Sequence, residues 1–160
     1  MKRGINMSEH NLNYSLLSKQ LDGLLSGEKD LIANLSNTSA FINQFLPEIN
    51  WVGFYLIKNN ALKLGPFQGL PACVDIEIGK GVCGTAVENN STQLVDDVNA
   101  FPGHIACDAN SKSEIVIPLY YNKEVIGVLD IDAPIKARFT EKDKDGLEQL
   151  VQVLEKHLYI

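Results

Sequence analysis

Apolar residues recur at helical spacing near the start of the chain, at Tyr14, Leu17, Leu21, Leu24 and Leu25, until Ser26-Gly27 breaks the pattern. A second helix is predicted with Leu31, Ile32, Leu35, Ile42, Phe45 and Leu46 on one face, and Pro47 stops it because proline cannot continue the hydrogen-bond ladder. At Trp51 the period changes to two. Trp51 to Ile57 reads as a strand with Trp51, Gly53, Tyr55 and Ile57 on one face and Val52, Phe54 and Leu56 on the other. Asn59-Asn60 is a hairpin turn, and Ala61 to Phe67 a second strand. Gly65 to Pro71 is dense in breakers, reads as a loop and delivers Cys73; Val74, Ile76 and Ile78 then alternate with acids as an edge-like strand. A short helical piece is expected over Thr85 to Glu88, and a short strand at Gln93 to Val95. The strongest strands are Glu114 to Tyr121 and Glu124 to Asp132, and Ala133-Pro134 ends them. Thr140 with Asp143 opens a last helix as a capping-box-like pair, with Leu147, Leu150, Val151, Leu154 and Leu158 as its apolar stripe and His157 structural near its end.

The register of the Glu114–Asp132 hairpin carries the first chemical inference. A loop of Asn122 and Lys123 alone pairs Tyr121 with Glu124 and sets Asp130 against Ile115, which buries a charge among isoleucines. A three-residue loop or a bulge pairs Tyr121 with Val125. Ile115, Ile117, Leu119 and Tyr121 then share a core face with Val125, Gly127, Leu129 and Ile131. A one-residue slip moves every side chain to the other face, so the second register is expected. It puts Glu114 opposite Asp132, with Asp130 two residues along on the same side. Like charges held opposite one another repel, and crowded carboxylates raise one another's pKa, so one of the three is expected to hold a proton near neutrality.

The stretch Phe101 to Glu114 lies beside those acids and holds His104, Cys107 and Asp108 in a segment of weak helix or strand pattern, entered through Phe101-Pro102-Gly103. Three readings of Cys73, Cys83 and Cys107 are open: buried small hydrophobes, a Cys3His zinc set with His104, or a redox relay in which one thiol attacks and another resolves. No Cys-x2–4-Cys knuckle is present, which weighs against zinc. Cys107 as a nucleophile beside a protonated carboxyl fits thiol attack on an oxygen-bearing sulfur, because that oxygen must leave as water or hydroxide. His104, three residues before Cys107 in a loop, is expected to shape the loop rather than act as a base. Trp51 and Tyr55 flank Gly53 and leave either a slot with aromatic walls or a site of close packing.

Gly79-Lys80-Gly81-Val82-Cys83-Gly84 formally matches G-x-G-x-x-G, but no long crossover helix follows and the lysine is not followed by Ser or Thr, so neither a dinucleotide nor a nucleoside triphosphate is expected. What remains is a glycine-rich turn with amides at a helix start, suited to a carboxylate or another anion.

Composition narrows the classes. The 160 residues suit one domain with one sizeable core, and a hydrophobic share of 45% argues against disorder. No run approaches the roughly 18–20 apolar residues of a membrane span, and the first residues lack an apolar h-region. A net charge of −6 without a basic stripe argues against nucleic acid and anionic membranes. An odd cysteine count with no leader suits a cytoplasmic protein with reduced thiols.

The segments INWVGFYL, FQGLPACVDIEIGKGVCGTA, FPGHIACD, SEIVIPL and GVLDIDAP together resemble the free methionine-(R)-sulfoxide reductases, a family built on a single GAF domain, from about Leu16 to the C-terminus. The resemblance implies an α+β GAF-like fold: a central antiparallel β-sheet with helices packed on one face and a loop-covered ligand pocket on the other. The domain is expected over residues 12–160, after an N-terminal extension of residues 1–11. It implies that Cys107 attacks the sulfoxide sulfur and becomes a sulfenic acid, that Cys73 is the main resolving thiol forming a disulfide with it, and that Cys83 is an auxiliary thiol. Trp51 and Tyr55 match the aromatic walls, Trp51 nearest the substrate methyl group. Glu114, Asp130 and Asp132 match the acids that hold the sulfoxide oxygen and supply a proton. No bound cofactor and no metal is implied; electrons would come from NADPH through thioredoxin reductase and thioredoxin. A homodimer is implied as well. A GAF domain that only senses a small molecule or a redox signal is the competing expectation, in which Cys107→Ser keeps ligand binding and turnover is never seen.

Overall fold

The computed structural model describes residues 11–105 and 107–160. The expected extension over residues 1–11 falls, except for Asn11, outside the described residues. Helices α1 (Tyr14–Leu25) and α2 (Leu31–Phe45) lead into strand β1 (Trp51–Lys58). There follow β2 (Ala61–Gly69), β3 (Asp75–Glu77), helix α3 (Gly81–Asn89), β4 (Gln93–Val95) and a 3-10 turn at Val98–Ala100. Strands β5 (Ser113–Tyr121) and β6 (Glu124–Ala133) and helix α4 (Glu141–Lys156) complete the chain. The strands form one antiparallel sheet in the order β3-β2-β1-β6-β5-β4.

Period-two patterning gives the sheet two buried faces. On one, Val52, Phe54, Ile115, Ile117, Leu129 and Ile131 pack with α1, α2 and α4 in the main core. On the other, Trp51, Tyr55, Val116 and Val128 pack with Val82, Cys83, Ala86 and Val87 of α3 in a smaller core. Three helices thus cover one face, while α3 and the connecting loops cover the face expected to hold the pocket. The last helix is capped as the sequence suggests, Thr140 and Asp143 forming a reciprocal capping box, and α2 is capped by Asp30, which accepts from the Ala33 amide. Leu24 and Ile32, assigned to buried stripes by spacing, are instead 47% and 54% exposed, since each helix turns only a narrow stripe to its neighbours.

Three expectations are corrected. Strand β2 does not end at Phe67 in a loop beginning at Gly65. It runs to Gly69, because a bulge takes up Gly65 and Pro66 opposite Phe54. Helix α3 begins at Gly81 rather than Thr85, seated so close to the end of β3 that a Cβ on Gly84 would overlap the Glu77 carbonyl. The β5–β6 hairpin closes on the two residues Asn122 and Lys123, both at positive φ, so Tyr121 pairs with Glu124 and not with Val125. The expected register is recovered one step in: a bulge at Ile126 shifts the pairing to Leu119↔Gly127, and from there Ile117↔Leu129, Ile115↔Ile131 and Glu114↔Asp132 follow.

One buried ionic network ties the helical layer together. Arg138, 0% exposed, donates to the Pro47 carbonyl from Nε and Nη2 at 3.0 and 2.9 Å and from Nη1 to Asp143 at 3.2 Å. Asp143 also accepts from the Tyr14 hydroxyl at 2.7 Å. The C-terminal end of α2, the start of α1 and the cap of α4 therefore meet at one guanidinium. Arg138→Met removes one partner of a buried pair and orphans the Pro47 carbonyl, so it is expected to cost about 3–5 kcal/mol in a urea titration; a loss below about 1 kcal/mol would show the network to be dispensable.

Candidate active site

The residues singled out in the sequence meet on the α3 side of the sheet. Trp51 pairs with Asp132, and Gly53 with Asp130, across β1 and β6; Glu114 pairs with Asp132 across β5 and β6. The two aromatics and three carboxylates therefore share one face. Gly53 does not leave an open slot there. The Trp51 indole lies over it and Phe67 fills the rest, so a Cβ would overlap both. Trp51 stacks on Phe67 at 5.2 Å and on Tyr55 at 6.0 Å between ring centroids.

Cys107 and Cys73 are joined by a disulfide with a Cα–Cα separation of 5.4 Å, which links the loop before β5 to the loop before β3. Cys83, in the first turn of α3, is a buried free thiol. A cavity of about 40 Å³ is lined by Cys83, Cys107, Glu114, Asp130 and Tyr55, with Ile105 and His104 over it. Trp51, Asp132 and Cys73 lie outside that lining. The space holds about one water, far below the several hundred Å³ of a small-molecule site, so the disulfide-bonded state is closed to an amino acid.

Burial dominates the electrostatics. Glu114 and Asp130 are 7% and 5% exposed. Desolvation first, and then the charges of Asp130 and Asp132, push Glu114 well above the usual carboxylate range. Asp132 is raised in the same way, by burial and then by Asp130. Asp130 is raised by burial too, but hydrogen bonds from Glu114, Asp132 and Cys83 work in the opposite direction. All three carboxyls are therefore raised together, and the cluster holds protons at a pH where solvated carboxyls would have lost them. Burial also raises the Cys83 thiol, with Asp130 and Glu114 adding to it. Burial lowers His104 against an opposing pull from Asp130, which keeps the imidazole neutral, and its buried Nδ1 has no hydrogen-bond partner among the described residues. The carboxylates within the Phe101–Glu114 stretch divide. Glu114 joins the cluster, whereas Asp108 builds the loop, accepting from the Asn110 amide at 2.8 Å and from Asn50 Nδ2 at 3.1 Å.

Several contributors escaped the sequence reading. Asn50 donates to Asp108 and, at 3.2 Å, to Ser111, clamping the cysteine loop to the head of β1. Ser111 also reaches Asp132. Phe67 backs Trp51. Only Phe67 left a signal, as an aromatic at the end of an apolar alternation. At the glycine-rich turn, Lys80 caps α3 without any side-chain bond, and Lys80, Gly81, Val82 and Cys83 line the cavity.

Residues 44–156 match the family model described as a GAF domain. Among curated relatives, the free methionine-R-sulfoxide reductase of Escherichia coli is 53% identical over 91% of this chain and 88% of its own length. The chain belongs to this family of single-GAF-domain free methionine-R-sulfoxide reductases. A structure of fRMsr of Staphylococcus aureus in its reduced form is 57% identical, with a TM-score of 0.91 over 99% of this chain and 100% of that one. The free methionine-R-sulfoxide reductase of Neisseria meningitidis in complex with its substrate is 43% identical, with a TM-score of 0.87 over 90% of this chain and 87% of that one. The family's sheet, with helices on one face and a loop-covered site on the other, is therefore the architecture described above.

A carboxyl whose folded pKa is raised binds its proton more tightly in the fold than in the unfolded chain. The fold thus loses stability as pH rises from the ordinary carboxylate value of about 4 toward the folded one. Glu114→Gln removes that liability. Urea titrations at pH 5 and pH 8 are expected to show a shallower fall for the variant, which at pH 8 gains about 0.5–1 kcal/mol over the parent. An unchanged slope would mean that Glu114 is charged and satisfied in the fold.

Proposed function

We propose that the protein reduces free L-methionine-(R)-sulfoxide to L-methionine by thiol chemistry. The observation that carries this reading is the Cys73–Cys107 disulfide, whose Cys107 lines one cavity with the buried, proton-holding carboxyls Glu114 and Asp130. Relatives named for that activity, at 53% identity and over most of the chain, support it.

Cys107 attacks the sulfoxide sulfur; Glu114, Asp130 and Asp132 hold the oxygen and supply a proton, and the oxygen passes to Cys107 as a sulfenic acid while methionine leaves. Cys73 then attacks the sulfenic sulfur, forming the disulfide and releasing water. Cys83 serves as an auxiliary thiol; its raised pKa keeps it protonated until a disulfide-bonded neighbour needs it. Trp51 and Tyr55 form the aromatic walls, with Trp51 toward the substrate methyl group. The acids attract the substrate ammonium and the α3 amides take its carboxylate, so a pocket closed around both ends excludes peptide-bound substrate. Two thiols supply both electrons and no bound cofactor is required. An external dithiol of the thioredoxin type, fed by NADPH through thioredoxin reductase, restores them. Such a cycle suits a reducing cytoplasm. No helix among the described residues is long and apolar enough to cross a membrane. The working unit is a homodimer.

Single-turnover thiol counting tests the reading. Fully reduced protein without reductant is mixed with the free R form, the free S form or a peptide-bound R form. The expected outcome is two thiols lost per methionine, with the free R form alone. Cys107→Ser makes no methionine, and Glu114→Gln slows its formation by about 100-fold, the scale of one lost proton donor. Bound ligand with no methionine from any form would identify a sensor, and comparable turnover of the peptide would sink the pocket-closure argument.

A further inference from the structure

The two aromatic walls have polar tips, and neither tip points at the acids. Trp51 Nε1 donates to the Leu70 carbonyl at 3.1 Å, and the Tyr55 hydroxyl donates to the Cys73 carbonyl at 2.9 Å. Both bonds enter one segment, residues 70–74 between β2 and β3, which is neither helix nor strand and carries Cys73. Pro71 offers no amide hydrogen, and Leu70 and Val74 are 56% and 52% exposed; Ala72 and Cys73 pack only partly against the smaller core, so before the disulfide forms the segment leans on these polar bonds. A main-chain bond from the Leu64 amide to the Val74 carbonyl, 2.9 Å, secures its far end. Tyr55, by contrast, is rigidly seated: it is 2% exposed, on a central strand, and stacked on Trp51, which stacks on Phe67. Burial first, and then the charge of Asp130, keeps its hydroxyl protonated and hence a donor.

We propose that Tyr55, seconded by Trp51, is a positioning residue for the resolving step: by holding the Cys73 carbonyl it keeps the Cys73 thiol within reach of the sulfenic acid on Cys107. This rests on the sulfoxide-reductase reading above. In the step served, the Cys73 sulfur attacks the Cys107 sulfur, the S–S bond forms, the S–O bond breaks, and hydroxide leaves with a proton as water. No outside oxidant is involved, since the sulfoxide has already oxidised Cys107 by two electrons. A substrate wall needs only the ring of Tyr55; holding Cys73 needs its oxygen, and a phenylalanine separates the two roles.

The test follows reduced wild type, Tyr55→Phe and Trp51→Phe through one turnover with free methionine-(R)-sulfoxide, without reductant. Methionine and disulfide are timed by rapid quench, and a 1,3-dione that traps sulfenic acids is present in a parallel series. In Tyr55→Phe the ratio of the disulfide-forming rate to the methionine-forming rate is expected to fall about tenfold, the scale of one lost hydrogen bond. The trapped adduct on Cys107 rises to match. Trp51→Phe, which cuts the Leu70 bond, moves the ratio in the same direction and serves if the tyrosine variant does not fold. A ratio equal to wild type in the folded variants overturns the proposal, because a general loosening of the fold slows both steps together. Failure of wild type to make methionine would instead remove the reductase reading, and the proposal with it.

Discussion

A single extra residue in β6 decides which side of the sheet holds the chemistry. The tight Asn122-Lys123 turn starts the β5–β6 ladder in a register that, continued, would set Asp130 against Ile115 and turn the acids into the helical core. The bulge at Ile126 reverses the parity before that happens. Everything beyond it follows: isoleucines and leucines face α1, α2 and α4, while Glu114, Asp130 and Asp132 face α3 and the two aromatics of β1. At Gly127, next to the bulge, a Cβ would overlap the Tyr55 carbonyl, so β1 and β6 approach here only because that position has no side chain.

The two layers treat charge in opposite ways. On the helical side, one buried cation is fully answered by a carboxylate and a carbonyl, and the result is a joint between three helices. On the pocket side, three carboxyls are withdrawn from water and pressed against one another; His104 lends Asp130 only a minor opposing pull, and Asp130 Oδ1 and Asp132 Oδ1 have no hydrogen-bond partner among the described residues. Such an arrangement costs stability and persists because the surrounding sheet over-determines it. It also keeps acid available beside Cys83 and Cys107 at a pH where a solvated carboxyl would have none.

Much of this was legible in the chain. Alternation across Trp51 to Ile57 assigned each β1 side chain to its correct face, and the demand that no acid sit among isoleucines fixed the Glu114–Asp132 pairing although the turn was misjudged. The turn itself was not legible because the parity change can be made in the loop or by a bulge further along, and alternation does not say which; here the bulge at Ile126 makes it. Gly65-Pro66 looked like a loop because breakers inside a bulge cannot be told from breakers in a turn by composition. Asn50, Ser111 and Arg138 went unnoticed for a common reason. Each acts through polar contacts to residues far away in sequence, as in Arg138 to Pro47, and periodicity carries no trace of such contacts. Alternation put Trp51 and Tyr55 on one face and only the resemblance made them walls; the bonds of the indole and phenol hydrogens to Leu70 and Cys73 carry no periodic signal.

The disulfide closes a loop between residues 34 apart, and closing a loop of that size removes freedom from the unfolded chain worth about 3–4 kcal/mol in the chain-entropy account. The cycle proposed for Cys73 and Cys107, in which this bond is made and broken, would therefore also alternate the molecule between two grades of durability. In that account the disulfide-bonded form is the sturdier one, by a factor on the order of several hundred in its unfolding equilibrium. The competent form is the more perishable.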